Sequence, residues 1–254
     1  MKNYIITVGG ATRDTTFFTD EGVLIDNQRD VLRQKLLAFE YGAKIKIDRF
    51  YFLFGGGAAN AAVNFAVSGF KTACLARVGQ DESGRAIIAN LRQHGVITSL
   101  VSSEKNRETM ISFILVTPGG ERIIFTSRAA NNDLRISRQE ERILKQADWL
   151  YLASLPGDWL PAARKIFSLS GPKIAWNPGA SQYQAGLKKI ASFLKRTSVF
   201  CVNKDEAIEL VLSDARYRGQ SPAFLNNVKN LLVALKAAGP EIVLITSGQD
   251  GADV

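Results

Sequence analysis

Short apolar runs alternate with amphipathic stretches along this chain, most plainly in its second half. Residues 149–153, 173–176, 198–202 and 241–246 are mainly apolar runs of four to six. Between them, 137–147, 159–169, 184–195, 204–213 and 221–238 repeat apolar positions at helical spacing. That alternation predicts parallel strands buried on both faces and covered by helices. The first half adds a strand at 4–8, a strand over 44–54, an alanine-rich helix at 58–68 and a strand at 72–78. A further helix runs from Ser83 to His94 and stops at Gly95, a residue suited to the position just past a helix end. ISFILVT (111–117), Pro118-Gly119-Gly120 and ERIIFTS (121–127) predict a β-hairpin. The fold class is therefore α/β, a doubly wound and mostly parallel sheet. Segments of about 17–54 and 109–127 fall outside the alternation and predict a small separate sheet or flap. Ligands of such sheets bind beyond the carboxyl ends of the strands. The loops after residues 8, 54, 78, 127, 153, 176, 202 and 246 are the places to look.

Composition narrows the function. With 254 residues, 46% hydrophobic and 22% charged, the chain suits one large folded domain and not a disordered one. Two cysteines, Cys74 and Cys201, make no disulfide scaffold and fit a reducing, cytoplasmic setting. The single histidine, His94, excludes sites built from two or more histidines. The net charge of +8 is spread, with +3 from 15 basic and 12 acidic residues in 1–127 and +5 from 17 and 12 in 128–254. No nucleic-acid partner is expected from so even a distribution, and a mildly basic surface suits an anionic small molecule. MKNYIITVGG has too short an apolar core for a signal peptide. Phe50–Phe70 is uncharged and long enough to span a membrane. Gly55, Gly56 and Gly57, with Asn60, Asn64 and Ser68-Gly69, make it read as a buried strand, a glycine turn and a buried helix. No membrane partner is expected.

Candidate chemistry sits in the turns at strand ends. Gly55-Gly56-Gly57-Ala58-Ala59-Asn60 follows a strand and opens a helix. Glycines admit close backbone approach and a helix N-terminus offers free N–H groups, though a tight turn with close packing explains the same residues. The run is neither GxGxxG nor a P-loop. Asn60 and Asn64 share one helical face and need polar partners, a ligand hydroxyl or a neighbouring backbone. Asp14, after the first strand, can accept from two adjacent hydroxyls of a polyol or cap its own loop. Asp81 or Ser83 reads as a helix N-cap. Asn203-Lys204-Asp205-Glu206 reads as a capping box or as an acid holding a metal through water beside phosphates. Thr246-Ser247-Gly248 offers a hydroxyl and N–H groups to a phosphate, or is a plain turn.

The order of these motifs resembles that of the PfkB carbohydrate kinase family, also called the ribokinase family. Asp14 is similar to its substrate aspartate, and Gly55 to Asn60 to its GG-x-x-x-N signature. Arg77 to Gly84 is similar to VGxDxxG. Arg128-Ala129-Ala130-Asn131 is similar to R-G-A-N with alanine for glycine. Asn177-Pro178-Gly179 matches a strand ending in Asn-Pro or Asp-Pro. Asn203 to Glu206 is similar to N-x-x-E, and Thr246-Ser247-Gly248 to T-x-G. The resemblance implies a ribokinase-like fold with a small β lid and an ATP-dependent phosphotransferase acting on a hydroxymethyl group of a sugar or nucleoside. Asp14, Gly55, Gly56 and Asn60 would then hold the acceptor. Asn203 and Glu206 would order Mg²⁺ and its waters, with Glu206 the metal-side residue, and Thr246 and Gly248 would line the ATP site. The strand pattern of 17–54 and 109–127 outside the alternation, with aromatics at Phe50, Tyr51 and Phe52, points to a homodimer through the lid.

Two departures qualify the match. The family's D-T-x-G-A-G-D, which supplies an anion hole and the catalytic base, belongs roughly thirty residues past Thr246-Ser247-Gly248. The chain stops at Val254. It reads as a C-terminally truncated member, expected to be inactive alone, and no residue present is assigned the base. The alternative is a non-catalytic sugar- or nucleoside-binding module derived from such a kinase. The second departure concerns the acceptor. The loop Ala153-Ser154-Leu155-Pro156-Gly157-Asp158 lacks the glutamate of ribokinases, which argues against strict ribose specificity. Arg128 either contacts an acidic sugar or is a solvated lid residue.

Overall fold

The computed structural model describes residues 3–26, 35–117, 119–120, 122–127 and 129–254. From the N-terminus, β1 (Tyr4–Val8), β2 (Thr12–Phe18), β3 (Val23–Asp26), β4 (Lys35–Ala38) and β5 (Arg49–Gly55) precede α1 (Gly57–Val67). β6 (Lys71–Gly79), α2 (Glu82–Gln93), β7 (Val101–Glu104), β8 (Ile111–Val116) and β9 (Arg122–Ser127) follow. The helix–strand alternation then runs α3 (Arg138–Leu144), β10 (Trp149–Leu152), α4 (Leu160–Phe167), β11 (Lys173–Trp176), α5 (Ala180–Tyr183), α6 (Leu187–Leu194) and β12 (Val199–Asn203). It closes with α7 (Lys204–Ser213), α8 (Pro222–Asn226), α9 (Val228–Lys236), β13 (Ile242–Thr246) and β14 (Ala252–Asp253).

The chain divides into two compact units. The larger comprises 1–12, 54–110 and 128–254 and holds an eight-stranded sheet in the order β14-β13-β12-β11-β10-β1-β6-β7. All neighbours are parallel except β13–β14. Successive side chains of a strand face opposite sides, and β6 shows the result. Ala73 and Leu75 join the main core with Ile6, Leu150, Trp176 and Phe200. Cys74, Ala76 and Val78 join a second cluster with Ala58, Ala62, Ile87 and Leu91 from α1 and α2. Burial on both faces is what the continuous apolar runs predict.

The smaller unit comprises 13–53 and 111–127. Its sheet has the order β5-β2-β8-β9, with β2–β8 parallel and β8–β9 antiparallel. A second, two-stranded antiparallel sheet joins β3 and β4. The predicted hairpin is present, while Pro118 and Glu121 of its turn lie outside the described residues.

Several predicted elements differ. The strand over 44–54 is shorter, and it is not buried: Phe50, Tyr51, Phe52 and Leu53 are all exposed. In α1 likewise, Asn60, Asn64 and Val67 face solvent. The helix over 184–195 starts at Leu187, after Gly186 at φ +85° breaks it from α5. That over 221–238 is interrupted at Asn227, whose Oδ1 accepts from the Lys229 amide at 3.0 Å and so caps α9. Among the described residues no helix is long and apolar enough to cross a membrane.

Asp81 explains why 109–110 belongs to the larger unit and not to the flap. Its Oδ1 caps α2 by accepting from the Gly84 amide at 2.7 Å. The carboxylate also accepts from the Thr109 amide at 2.7 Å and the Thr109 hydroxyl at 2.6 Å. The Thr109 hydroxyl in turn accepts from the Gly79 amide at 2.9 Å. Burial alone would raise the Asp81 pKa, but these hydrogen bonds outweigh it and hold the group below its ordinary 3.8. A carboxylate with a lowered folded pKa contributes stability above its unfolded value and loses it as pH falls through the folded value. Asp81→Asn is therefore expected to cost ~1.5–3 kcal/mol at neutral pH, the scale for hydrogen bonds to a charged group. The gap to the parent protein should close as melts are taken below pH 3.8. A gap independent of pH would contradict this assignment.

Candidate active site

β1 lies where the strand order reverses, with β6 and β7 on one side and β10 to β13 on the other. Such a switch point opens a crevice between the loops after β1 and β10. Val8 stands level with Leu75 and Leu152, and Leu152 with Trp176. The loops above them are packed on one another. Gly56 has φ +92°, and a Cβ there would lie 2.6 Å from Ala11 Cα. A Cβ on Gly57 would lie 2.8 Å from that of Ala153. The Gly10 carbonyl accepts from the Ala58 and Ala59 amides at 3.2 and 3.4 Å. The glycine run thus stacks the β1, β5 and β10 loops, and two helix N–H groups that were candidates for a ligand are already used.

Gly55 is buried at the end of β5, while Asn60 is exposed in the first turn of α1. No side-chain hydrogen bond of Asn60 or Asn64 is made among the described residues, so neither has the backbone partner considered for it. Asp14 is not in a loop. It lies in β2, half-buried, opposite Ser112 of β8 in the smaller unit. Arg128 lies outside the described residues.

Next to Arg128, Ala129 has φ +36°. This left-handed conformation explains why the related motif carries glycine here. The tight turn it opens buries Asn131, whose Nδ2 donates to the Ala11 carbonyl at 2.9 Å. Asn131 Oδ1 is buried without a hydrogen-bond partner.

Gln182 was not visible as a site residue. Fully buried, its Oε1 accepts from the Leu155 amide at 3.2 Å and the Gly179 amide at 2.9 Å. Its Nε2 donates to the Leu155 carbonyl at 2.6 Å. One amide thereby ties the loop after β10 to the loop after β11. Asn177 extends the tie, with its Nδ2 donating to the Cys201 carbonyl at 2.9 Å.

At the far end of the edge, Asn203 and Thr246 are register partners on β12 and β13. Asn203 Oδ1 accepts from the Glu206 amide at 2.8 Å, and Glu206 Oε2 accepts from the Asn203 amide at 2.9 Å, so the capping-box reading holds. Burial, then the charges of Asp205 and Glu209, raise the Glu206 pKa against the lowering effect of the Asn203 amide. Burial and Glu206 together raise that of Cys201. Gly248 opens an exposed turn, and the Ser247 amide donates to Gly251 at 2.8 Å. Ser247 Oγ is buried without a partner. Among the described residues no three His, Cys, Asp or Glu side chains are grouped to ligate a metal.

The edge therefore has closely packed loops at the switch point and, several strands away, an amide, a hydroxyl and a crowded carboxylate side by side. Residues 23–254 match the pfkB family carbohydrate kinases, and the chain belongs to that family. Ribokinase of Mus musculus is 30% identical over 223 residues, covering 83% of this chain and 62% of its own length. Probable fructokinase-7 of Arabidopsis thaliana is 26% identical over 196 residues, 71% of this chain and 57% of its own. The structure of Arabidopsis thaliana ribokinase complexed with ribose and ATP matches with a TM-score of 0.76 at 18% identity, covering 99% of this chain and 74% of that one. The chain thus spans about three fifths of the length of the curated relatives it matches.

Proposed function

We propose that this chain carries the substrate sites of an ATP-dependent kinase that phosphorylates a hydroxymethyl group of a sugar or nucleoside. The observation that carries the reading is the one sheet edge on which the switch-point loops and the Asn203–Thr246 pair both lie, in a chain of this family. By that family resemblance Asp14, Gly55, Gly56, Asn60 and Arg128 are assigned to the acceptor. A carboxylate can accept from two neighbouring hydroxyls, and an amide can donate and accept at once. Asn203, Glu206, Thr246 and Gly248 are assigned to ATP.

A Mg²⁺ ion fits Glu206, because that carboxylate is disfavoured as an anion by burial and by Asp205 and Glu209, and a cation relieves both. With no ligating cluster among the described residues, Glu206 would hold the ion through waters. Bound there, Mg²⁺ would neutralise phosphate charge. The remaining task is positioning, the main protein contribution to phosphoryl transfer. Residues 1–254 contain no G-A-G-D, so the base and anion hole are assigned to none of them.

The acceptor assignment is tested by titration calorimetry of residues 1–254 with a panel of sugars and nucleosides. Asp14→Ala is expected to weaken the best acceptor by ~1.5–3 kcal/mol, roughly 10- to 150-fold. Unchanged affinity would remove Asp14 from the site. The smaller unit is the proposed lid. Its exposed Phe50, Phe52, Phe113 and Phe125 form an apolar surface of the kind that associates, and a second copy of the lid is its proposed partner. A dimer is expected by sedimentation; a strict monomer would exclude the pairing.

A further inference from the structure

We propose that a cleft on the helical layer, between α6, residues 213–218 and the end of α9, binds a small phosphate ester with an apolar body. The cleft has a volume of about 500 Å³, within the range of small-molecule sites. Its apolar surface comes from Leu187, Ala191, Ala215, Ala237 and Ala238. Four cations, Lys188, Lys195, Arg216 and Arg218, also line it. Lys188, Ala191 and Lys195 follow at i, i+3 and i+7, on one face of α6.

The charge is not balanced from within. Asp214 is the one acid lining the cleft, and it is occupied by Arg216, whose Nη2 and Nε donate to Oδ2 at 2.7 and 3.1 Å. Lys188, Lys195 and Arg218 make no side-chain hydrogen bond or ion pair among the described residues. Four cations against one carboxylate leave +3. The C-terminal ends of α6, α7 and α9 offset about 0.5 charge each and the N-terminal end of α6 restores about 0.5, which leaves about +2. A phosphate monoester carries about −1.5 to −2 at neutral pH, and the alanines give its organic part a surface.

This cleft is separate from the proposed kinase site. α6 and α9 precede β12 and β13, and α7 leaves from the carboxyl edge. Lys195 and Ala237, at the C-terminal ends of α6 and α9, therefore lie toward the amino edge of the sheet, and the cleft runs from there along α6 to Lys188 and Ser213, whose Oγ accepts from the Leu187 amide at 2.8 Å.

The test uses residues 1–254 with phenyl phosphate, inorganic phosphate and phenol as probes, followed by calorimetry and amide chemical shifts. Phenyl phosphate should bind saturably and several-fold more tightly than inorganic phosphate, and phenol should not bind. The amides of Ser213, Arg216 and Ala238 should shift while those of Thr246 to Gly248 stay. Lys195→Ala with Arg218→Ala should weaken phenyl phosphate by roughly tenfold or more, and Ala191→Glu should abolish its binding with the cooperative melt retained. Absence of saturable binding, shifts confined to Thr246–Gly248, or unchanged affinity in the double variant would each overturn the proposal.

Discussion

Gly56→Ala is expected to destabilise the larger unit by ~2–6 kcal/mol and to abolish acceptor binding. Two costs combine. At φ +92° and ψ 130° the backbone occupies a region that side chains adopt only under strain, ~1–3 kcal/mol. The added Cβ also meets main chain, 2.6 Å from Ala11 Cα and 2.7 Å from the Gly10 carbonyl carbon, and overpacking costs typically ~1–3 kcal/mol more. Main chain cannot turn aside as a flexible side chain can, so the β1 loop must move. Gly69→Ala separates the two costs, because Gly69 has φ +90° but nothing within 4 Å of its Cβ position. It should show the strain alone. At ~2–4 °C per kcal/mol for a chain of this size, Gly56→Ala should melt roughly 4–24 °C below the parent and well below Gly69→Ala. Equal melting of the two variants would show that the glycine run is not a packing device.

Gln182→Leu should be as damaging, for a different reason. Leucine fills the space but leaves the Leu155 N–H, the Leu155 C=O and the Gly179 N–H without the partner Gln182 provides. Gln182 and Leu155 are fully buried, so water cannot replace the amide at Leu155. At ~1–3 kcal/mol for each buried group left unpaired, the total is about 3–9 kcal/mol. Gln182→Glu keeps both acceptor bonds but sets a carboxylate against the Leu155 carbonyl, which only a protonated acid can satisfy. Its folded pKa should rise, so its stability should be greatest at acid pH and fall as pH rises through that value. Melting temperatures against pH check this. A Glu variant that tracks Leu at every pH would contradict the role assigned to the Gln182 amide.

Legibility followed the physics that each element uses. Parallel strands buried on both faces need continuous apolar runs, so β1, β6 and β10 to β13 were readable within a residue or two. β2 (TRDTTFF) and β7 (VSSE) are polar and were missed, because their stability comes from pairing with β8 and β6 and not from their own pattern. Missing β2 also placed Asp14 in a loop. The motif residues stood where turn chemistry put them, and Asp81, Asn203 and Glu206 carry the caps their spacing indicated. The tie from Gln182 to Leu155 had no local signal, since Leu155 lies 27 positions away. Ala129 is the opposite case: the related motif's glycine marked the position, and the positive φ supplied the reason.

The most direct measurement is phosphoryl transfer by a version of this chain that continues through a G-A-G-D segment, supplied with ATP, Mg²⁺ and a panel of sugars and nucleosides. ADP release should depend on the acceptor, and the phosphate should be found on the acceptor's hydroxymethyl oxygen, at a rate within the ~1–100 s⁻¹ usual for kinases. Residues 1–254 alone should bind the same acceptor without turning it over. ADP release that ignores every acceptor, or no binding of any sugar or nucleoside by either form, would contradict the account.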